Sequence, residues 1–218
     1  MQTPLNKTYI WSLSTRVFHA LLVVSVLITY IISDFDSLLF AHASLGYLIG
    51  CLFIFRILWG FMDIKYSSFK DFNLDKKELM SYFFNIFGTK KIYIGHNPAS
   101  SWAVILMIVF GIVAVFTGML AYGSEEQKGL FSSVVELDLF EDLHELFSNL
   151  FMIVVASHVV GVLLDRFLQK SKAVESMISG YKSTNEDDIK ITFSQNTFAF
   201  ICISLSVGIF IYTLLFVG

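Results

Sequence analysis

Histidines are the residues of this chain best able to do chemistry, and four of the five lie in or beside long apolar runs. The stretch 142–160 carries His144 and His158, fourteen residues apart. In an α-helix this spacing is about 21 Å along the axis and only about 40° around it, so both imidazoles share one face. His19 and His42 lie in the first two apolar runs. A lone membrane histidine is often only a packing or hydrogen-bonding group, but four together indicate a functional site.

The composition is that of an integral membrane protein. Of 218 residues, 56% are hydrophobic and 15% are charged, with a mean hydropathy of +0.70. A soluble domain of this size carries nearer a quarter charged residues. We therefore expect the protein to be surrounded by membrane lipid, and we expect no nucleic-acid partner. Cys51 and Cys202 stand in no CxxC or CxxCH pattern, so we expect no disulfide, no thiol-bound metal and no covalently attached haem.

Five apolar runs are long enough, or nearly so, to cross a hydrocarbon core, which needs about twenty residues. They are 17–33, 42–62, 101–122, 146–164 and 197–217, the fourth with a polar helical extension towards Val135. Since backbone groups must be satisfied internally in lipid, each run should be a helix. No signal-peptidase site follows the first run, which we interpret as a retained span. The sequence predicts an all-α protein with a four-helix transmembrane bundle in residues 1–182, then a cytoplasmic linker and a fifth span in residues 183–218.

The charges indicate the orientation. Counted along the chain, 14 of the 15 lysines and arginines fall on one side, which should be the cytoplasm. The N-terminus would then be cytoplasmic and the C-terminus would lie on the outer side of the membrane. The two outer connections carry nine acids and one lysine. This acidic surface could steer a basic partner or could simply be two solvated loops.

A short amphipathic helix is predicted on the inner membrane surface. It follows from the helical spacing of five apolar and aromatic residues after a pair of lysines. The apolar set is Leu79, Tyr82, Phe83, Ile86 and Phe87, and the lysines are Lys76 and Lys77.

This topology sorts the histidines into two levels. His42 and His144 fall near the outer face, and His19 and His158 near the inner one, with a looser match in depth for the inner pair. Two imidazoles from facing helices suit the axial positions of a haem iron in a bundle core. Zinc would need three or four ligands at one depth, and a proton relay usually recruits carboxylates, which the centres of the spans lack. The residues favour two non-covalent b-type haems with bis-histidine iron.

Other residues fit this interpretation, each with a plainer alternative. Gly46, Gly50 and Gly161 follow ligand positions and could admit a flat macrocycle, although small residues also serve tight helix packing. Arg56 and Arg16 are candidates for haem propionates, whereas an arginine at a span's end can simply snorkel to the interface.

His96 precedes Asn97 and Pro98 near the start of the third span. It could contact a propionate or a quinone at the inner surface. The alternative is that this segment only caps a helix.

Four stretches resemble the bacterial cytochrome b561 and nickel-iron hydrogenase b-type cytochrome superfamily. They are WSLSTRVFHALLV (11–23), AHASLGYLIGCLFIFRILWGF (41–61), GHNPASSW (95–102) and LHELFSNLFMIVVASHVVGVLL (143–164). The resemblance implies a four-helix di-haem electron carrier of the bacterial inner membrane that links a quinone pool to a partner, often periplasmic, with haem ligands at the same four histidines. The outer side would then be the periplasm, where we expect the C-terminus. The GHNP element is more similar to stand-alone members described as cytochrome b/b6-domain proteins than to hydrogenase subunits. The fifth span is not part of the family's minimal core, and could close the haem groove or dock a partner.

We therefore expect respiratory electron transfer between a periplasmic redox protein, such as a c-type cytochrome or an oxidoreductase subunit, and membrane quinone. Iron with both axial sites filled is not expected to bind oxygen, and we assign no catalytic residue. One alternative is a quinone oxidoreductase in its own right, oxidising superoxide or another small periplasmic reductant. Another is a non-redox anchor or proton pathway. The sequence leaves open the direction of electron flow and is compatible with a homodimer.

Overall fold

The computed structural model describes residues 6–85, 87–88, 93–134 and 138–216. Seven α-helices and two short strands lie in these ranges. Several residues named in the sequence predictions fall outside them: Ile86, Val135 and Val217. The elements are β1 (Asn6–Tyr9), α1 (Leu13–Ile31), α2 (Leu39–Phe61), α3 (Lys76–Phe84), α4 (Pro98–Glu126), α5 (Asp138–Leu168), α6 (Ala173–Ser179), β2 (Tyr181–Thr184) and α7 (Phe193–Phe216), with single 3₁₀ turns at Asp36–Leu38 and Phe69–Asp71.

Five helices are long and apolar enough to cross a membrane: α1, α2, α4, α5 and α7. The prediction of an all-α membrane protein with five spans is confirmed. Two of these helices extend well beyond their apolar runs, since α4 has 29 residues and α5 has 31. Asp138 and Glu141 in the first turn of α5 and Arg166 in its last turn complement the helix dipole, which favours these polar extensions.

Local capping chemistry sets where several helices begin. The side chain of Ser12 accepts a hydrogen bond from the Thr15 amide at the start of α1. Asn97 accepts one from the Ser100 amide at the start of α4, where Pro98 is the first helical residue. Capping at GHNP is therefore the work of Asn97 and Pro98, which leaves the His96 side chain for another role.

Contacts between helix ends show that neighbouring spans alternate in direction. Trp59 Nε1, near the end of α2, donates to Thr15 Oγ1 at the start of α1, 3.1 Å away. At the other side, the Leu130 amide, just after α4, donates to Tyr47 Oη of α2 at 3.2 Å. We call the side holding Leu13, Phe61, Pro98 and Leu168 the basic end, and the opposite side, holding Ile31, Leu39, Glu126 and Asp138, the acidic end.

The centre of the protein is α2, which packs on α1, α4 and α7, while α5 packs along α4. Three small residues of α7, spaced by seven, are buried: Ala199, Ser206 and Thr213. Ala199 lies in the apolar cluster that α7 forms with α1 and α2. Among the described residues α5 makes no extensive backbone packing with α1 or α2, so side chains from these helices meet across a wider gap.

A two-stranded antiparallel sheet at the basic end was not foreseen from the sequence. Asn6 of β1 pairs with Thr184 of β2, and the amides of Ile10 and Trp11 donate to the Gly180 carbonyl. The sheet ties the start of α1 to the segment that follows α5. The division proposed between residues 182 and 183 falls within β2.

The predicted amphipathic helix corresponds to α3, which begins after its cap Asp75 and ends at Phe84. Its Tyr82 hydroxyl donates to Asp165 of α5 at 3.4 Å. The other face exposes Met80, Phe83 and Phe84, and exposed Phe87 follows the helix. The helix is therefore fixed to the bundle by one side and presents apolar residues on the other.

Candidate functional site

The acidic-end histidines lie face to edge. His42 of α2 and His144 of α5 have ring centres 6.0 Å apart and ring planes at 88°. Two imidazoles on opposite sides of one metal ion would have ring centres about 6 Å apart, since a metal–imidazole bond is about 2.0 Å and a ring nitrogen lies about 1.2 Å from its ring centre. The donor set and its spacing therefore fit a bis-histidine iron.

Backbone carbonyls orient both of these imidazoles. His144 Nδ1 lies 2.8 Å from the Ala114 oxygen of α4, and His42 Nδ1 lies 3.2 Å from the Thr29 oxygen of α1. A carbonyl can only accept, so each Nδ1 carries the proton and each Nε2 keeps its lone pair. This is the usual arrangement of a metal-binding histidine.

The basic-end pair is less closely joined. His19 of α1 and His158 of α5 lie near enough to interact electrostatically. Within the described residues their rings make no direct contact. Both are half-buried. His158 lies on the same face of α5 as His144, about 21 Å away along the axis. The structure thus brings the predicted residues to two levels, one tight and one loose.

The three predicted haem-packing glycines differ in their surroundings. A methyl group added at half-buried Gly46 or Gly161 would meet no atom within 4 Å. At Gly50 it would lie 2.9 Å from Val115 Cγ1 of α4. There is therefore room for a flat group beside Gly46 and Gly161, whereas Gly50 lets α2 approach α4.

The two arginines have different environments. Arg56 is 7% exposed, its Nη1 is buried without a hydrogen-bond partner, and its guanidinium lies over the rings of Phe69 and Phe72, at 4.9 and 5.5 Å. A buried cation without a counter-ion is unfavourable, so this atom fits an anionic group such as a propionate. Arg16 Nη1 already donates to the Ile178 carbonyl at 2.7 Å, and its Nε is buried and unpartnered.

His96 belongs to the basic-end level. Its ring packs against Trp11 at 5.2 Å and Phe72 at 4.8 Å, and its Nδ1 is buried without a partner. Burial, followed by the nearby charge of Arg56, lowers the pKa of His96 from 6.5 to about 3, so the imidazole is neutral at physiological pH. His158 and His19 also act on it electrostatically. Sequence reasoning could not place this residue, since its neighbours come from distant segments.

An aromatic pair that sequence reasoning missed lies between the two levels. Phe53 of α2 and Phe151 of α5 are buried with ring centres 5.9 Å apart, edge to face. Gly111 of α4 makes room for both, since a methyl group there would lie 2.4 Å from Phe53 Cε2 and 3.2 Å from Phe151 Cε2. The signal was present in the spacing, because Phe151 is seven residues from each α5 histidine. The pair therefore fills part of the interior between the two levels.

Sites for metals with more ligands are absent from the part of the chain that the structure describes. No group of three or more histidine, cysteine or carboxylate side chains is placed to hold a metal ion there. Cys51 and Cys202 are free and half-buried.

Comparisons with known proteins identify a family for this chain. The family described as prokaryotic cytochrome b561 matches residues 10–180. A probable Ni/Fe-hydrogenase B-type cytochrome subunit of Rhodobacter capsulatus is 27% identical over 173 residues, which are 69% of this chain and 64% of that protein. The chain thus spans somewhat less than two thirds of the length of this relative. No solved structure matches.

Proposed function

The chain belongs to the prokaryotic cytochrome b561 family, and on that premise we propose that it carries electrons through two b-type haems between a periplasmic redox partner and membrane quinone. As a member of this family it is a multi-pass membrane cytochrome of the b type. The observation that carries the proposal is the His42–His144 pair, 6.0 Å between ring centres with both Nδ1 atoms on carbonyls. Both Nε2 atoms therefore keep a lone pair that can bind iron. A pair of histidines that served only packing would not require this.

In this proposal each level holds one haem. His42 and His144 would ligate the first, His19 and His158 the second, with Gly46 and Gly161 leaving room for the macrocycles. Bound haem would supply one-electron chemistry at iron. The chain's own residues orient the ligands, exclude water and separate the two levels with the packed rings of Phe53 and Phe151.

We assign the propionates of the basic-end haem, and the quinone, to the basic end. The unpartnered Nη1 of Arg56 and Nε of Arg16 are both donors suited to carboxylates. Neutral His96, with a buried free Nδ1 beside the same level, is suited to a propionate or to a quinone oxygen. Lys182 donates to the carbonyls of Tyr93 and Ile94 at 2.6 and 3.2 Å, and so holds the loop that carries His96.

The orientation we propose places the basic end in the cytoplasm of a bacterium and the acidic end in the periplasm. Fourteen of the 15 lysines and arginines support it, because positively charged loops stay inside. A periplasmic donor would then meet the acidic end, close to His42 and His144. The relative's name concerns a hydrogenase subunit. For this chain we propose a periplasmic redox protein, either a c-type cytochrome or an oxidoreductase subunit.

An absorption spectrum and a haem assay on the purified full chain test the proposal. We expect a reduced b-type spectrum and two haems per chain. His158→Ala should remove one haem and keep that of His42 and His144. Ser157→Ala, at the exposed neighbour of His158 on α5, is the matched control and should keep both haems. If no haem co-purifies with the wild type, or if His158→Ala loses none, the proposed function is wrong.

A further inference from the structure

The two histidine levels differ in what holds the imidazoles. At the acidic end both Nδ1 atoms are hydrogen-bonded to carbonyls, at 2.8 Å for His144 and 3.2 Å for His42. At the basic end neither His19 nor His158 has a hydrogen-bond partner in the described part of the chain. This difference comes from the protein and not from the ligand type, which is histidine throughout.

The carbonyls at the acidic end are available for two structural reasons. Thr29 lies in the last turn of α1, which ends at Ile31, so its oxygen has no partner within the helix. Ala114 lies inside α4, and His144 can reach its oxygen only because residue 118 is glycine. A methyl group at Gly118 would lie 2.7 Å from both Cε1 and Nδ1 of His144. Gly118 is therefore a positioning residue for this imidazole.

The two levels also differ in the charged residues near them. Arg56 lies buried at the basic end, near enough to His96 to act on it electrostatically. Residues 34–41 and 123–145, at the acidic end, include nine acids and one lysine, and Asp36 and Glu141 among them are exposed. The basic-end level thus lies near a poorly solvated cation, and the acidic-end level lies at the end of the bundle where acids predominate.

Both differences act on the reduction of ferric to ferrous iron, in which the site gains one electron and loses one unit of positive charge. A hydrogen bond from Nδ1 to a carbonyl makes the imidazole a stronger electron donor, which stabilises the ferric state and lowers the reduction potential. A buried cation stabilises the less positive ferrous state and raises it, and low dielectric strengthens this effect.

We propose that these groups hold the acidic-end haem at a lower reduction potential than the basic-end haem, so that electrons move favourably from the acidic end to the basic end. This inference rests on the proposed function. It assigns a direction that the ligand set by itself leaves open. The residues responsible are Gly118, which admits His144 to the Ala114 carbonyl, Thr29, whose carbonyl holds His42, and Arg56.

Single-haem variants of the full chain test the order of potentials. His158→Ala keeps only the acidic-end haem and His42→Ala keeps only the basic-end haem. Spectroscopic redox titration of each should give a lower midpoint potential for His158→Ala. Equal midpoints, or the reverse order, would overturn the inference while leaving the proposed function intact. A chain that binds no haem would instead refute the proposed function itself.

Two further pairs test the named causes. Gly118→Ala should raise the acidic-end potential, whereas Gly208→Ala, where a methyl group meets nothing within 4 Å, should leave it unchanged. Arg56→Gln should lower the basic-end potential and Arg56→Lys should largely preserve it, because lysine keeps the charge. If Gly118→Ala loses the acidic-end haem altogether, its positioning role stands, and the order of potentials is decided by the single-haem variants. Equal shifts in Arg56→Gln and Arg56→Lys would exclude charge as the cause.

Discussion

The space beside Gly46 allows a test in which the same substitution has opposite effects on two properties. Gly46 lies one turn after His42 on α2, and a methyl group there would meet no protein atom within 4 Å. In the protein without haem, Gly46→Ala should therefore be accepted without strain. If a macrocycle packs on this glycine when haem is bound, the same methyl group should clash with it.

The magnitudes follow from the two environments. Alanine in a helix interior is about 1 kcal/mol more favourable than glycine, so the haem-free variant should be more stable by up to that amount. A methyl group forced into a packed contact costs about 1–3 kcal/mol. The affinity for haem should therefore fall by about 5- to 150-fold, since each 1.4 kcal/mol is a factor of about ten.

The measurements are thermal unfolding of the haem-free chain in detergent, and the rate at which the loaded chain loses haem to an excess of apomyoglobin. Gly208→Ala is the matched control, because Gly208 of α7 is equally open but lies on the exposed surface. It should stabilise the helix in the same way and leave haem loss unchanged. If Gly46→Ala and Gly208→Ala release haem at the same rate, the space at Gly46 is not occupied by the cofactor and this reasoning is wrong.

Three further predictions concern stability. Phe53→Ala, which removes a ring that is 1% exposed, should destabilise the chain by about 3–5 kcal/mol. Phe61→Ala on the same helix, where the ring is 75% exposed, should cost far less, and similar thermal shifts for both would contradict the aromatic contact between the levels. Burial lowers the pKa of His96 to about 3, so between that value and pH 6.5 the unfolded chain binds a proton that the native chain does not. The free energy of unfolding should therefore fall on acidification through this range, by up to about 1.4 kcal/mol per pH unit. Thermal midpoints measured across this range should depend less on pH in His96→Gln, and an unchanged slope would rule out His96 as the source. Asn97→Ala removes the cap of α4 and should cost about 1 kcal/mol of stability, whereas Asn97→Asp should retain it in the same unfolding assay.

The helices were the most predictable part of this protein. A hydrocarbon core demands about twenty apolar residues with internally satisfied backbone, so the five spans could be located from composition. The polar extension of α5 towards Val135 was predicted, whereas its continuation from Leu164 to Leu168 and that of α4 from Tyr122 to Glu126 were not. The amphipathic segment was predicted to reach Phe87, but α3 ends at Phe84, where Asn85 caps it.

The candidate site was only partly accessible from the sequence. Regular helix geometry placed His144 and His158 on one face before any fold was known. The contact of His96 with Trp11 and Phe72 was not accessible, since it joins three segments whose meeting depends on the β1–β2 pairing and the loops at the basic end. Haem ligation by the four histidines, and the role of each arginine, stay predictions.

The sequence by itself determined the membrane class, the number of spans and the two depths of histidine, because hydropathy and helical rise act along the chain. Only the tertiary structure decided which groups face those histidines. The Ala114 carbonyl reaches His144 because Gly118 has no side chain, and Arg56 lies buried against the rings of Phe69 and Phe72. Such contacts depend on how helices and loops distant in sequence pack sideways, which periodicity along one helix does not encode.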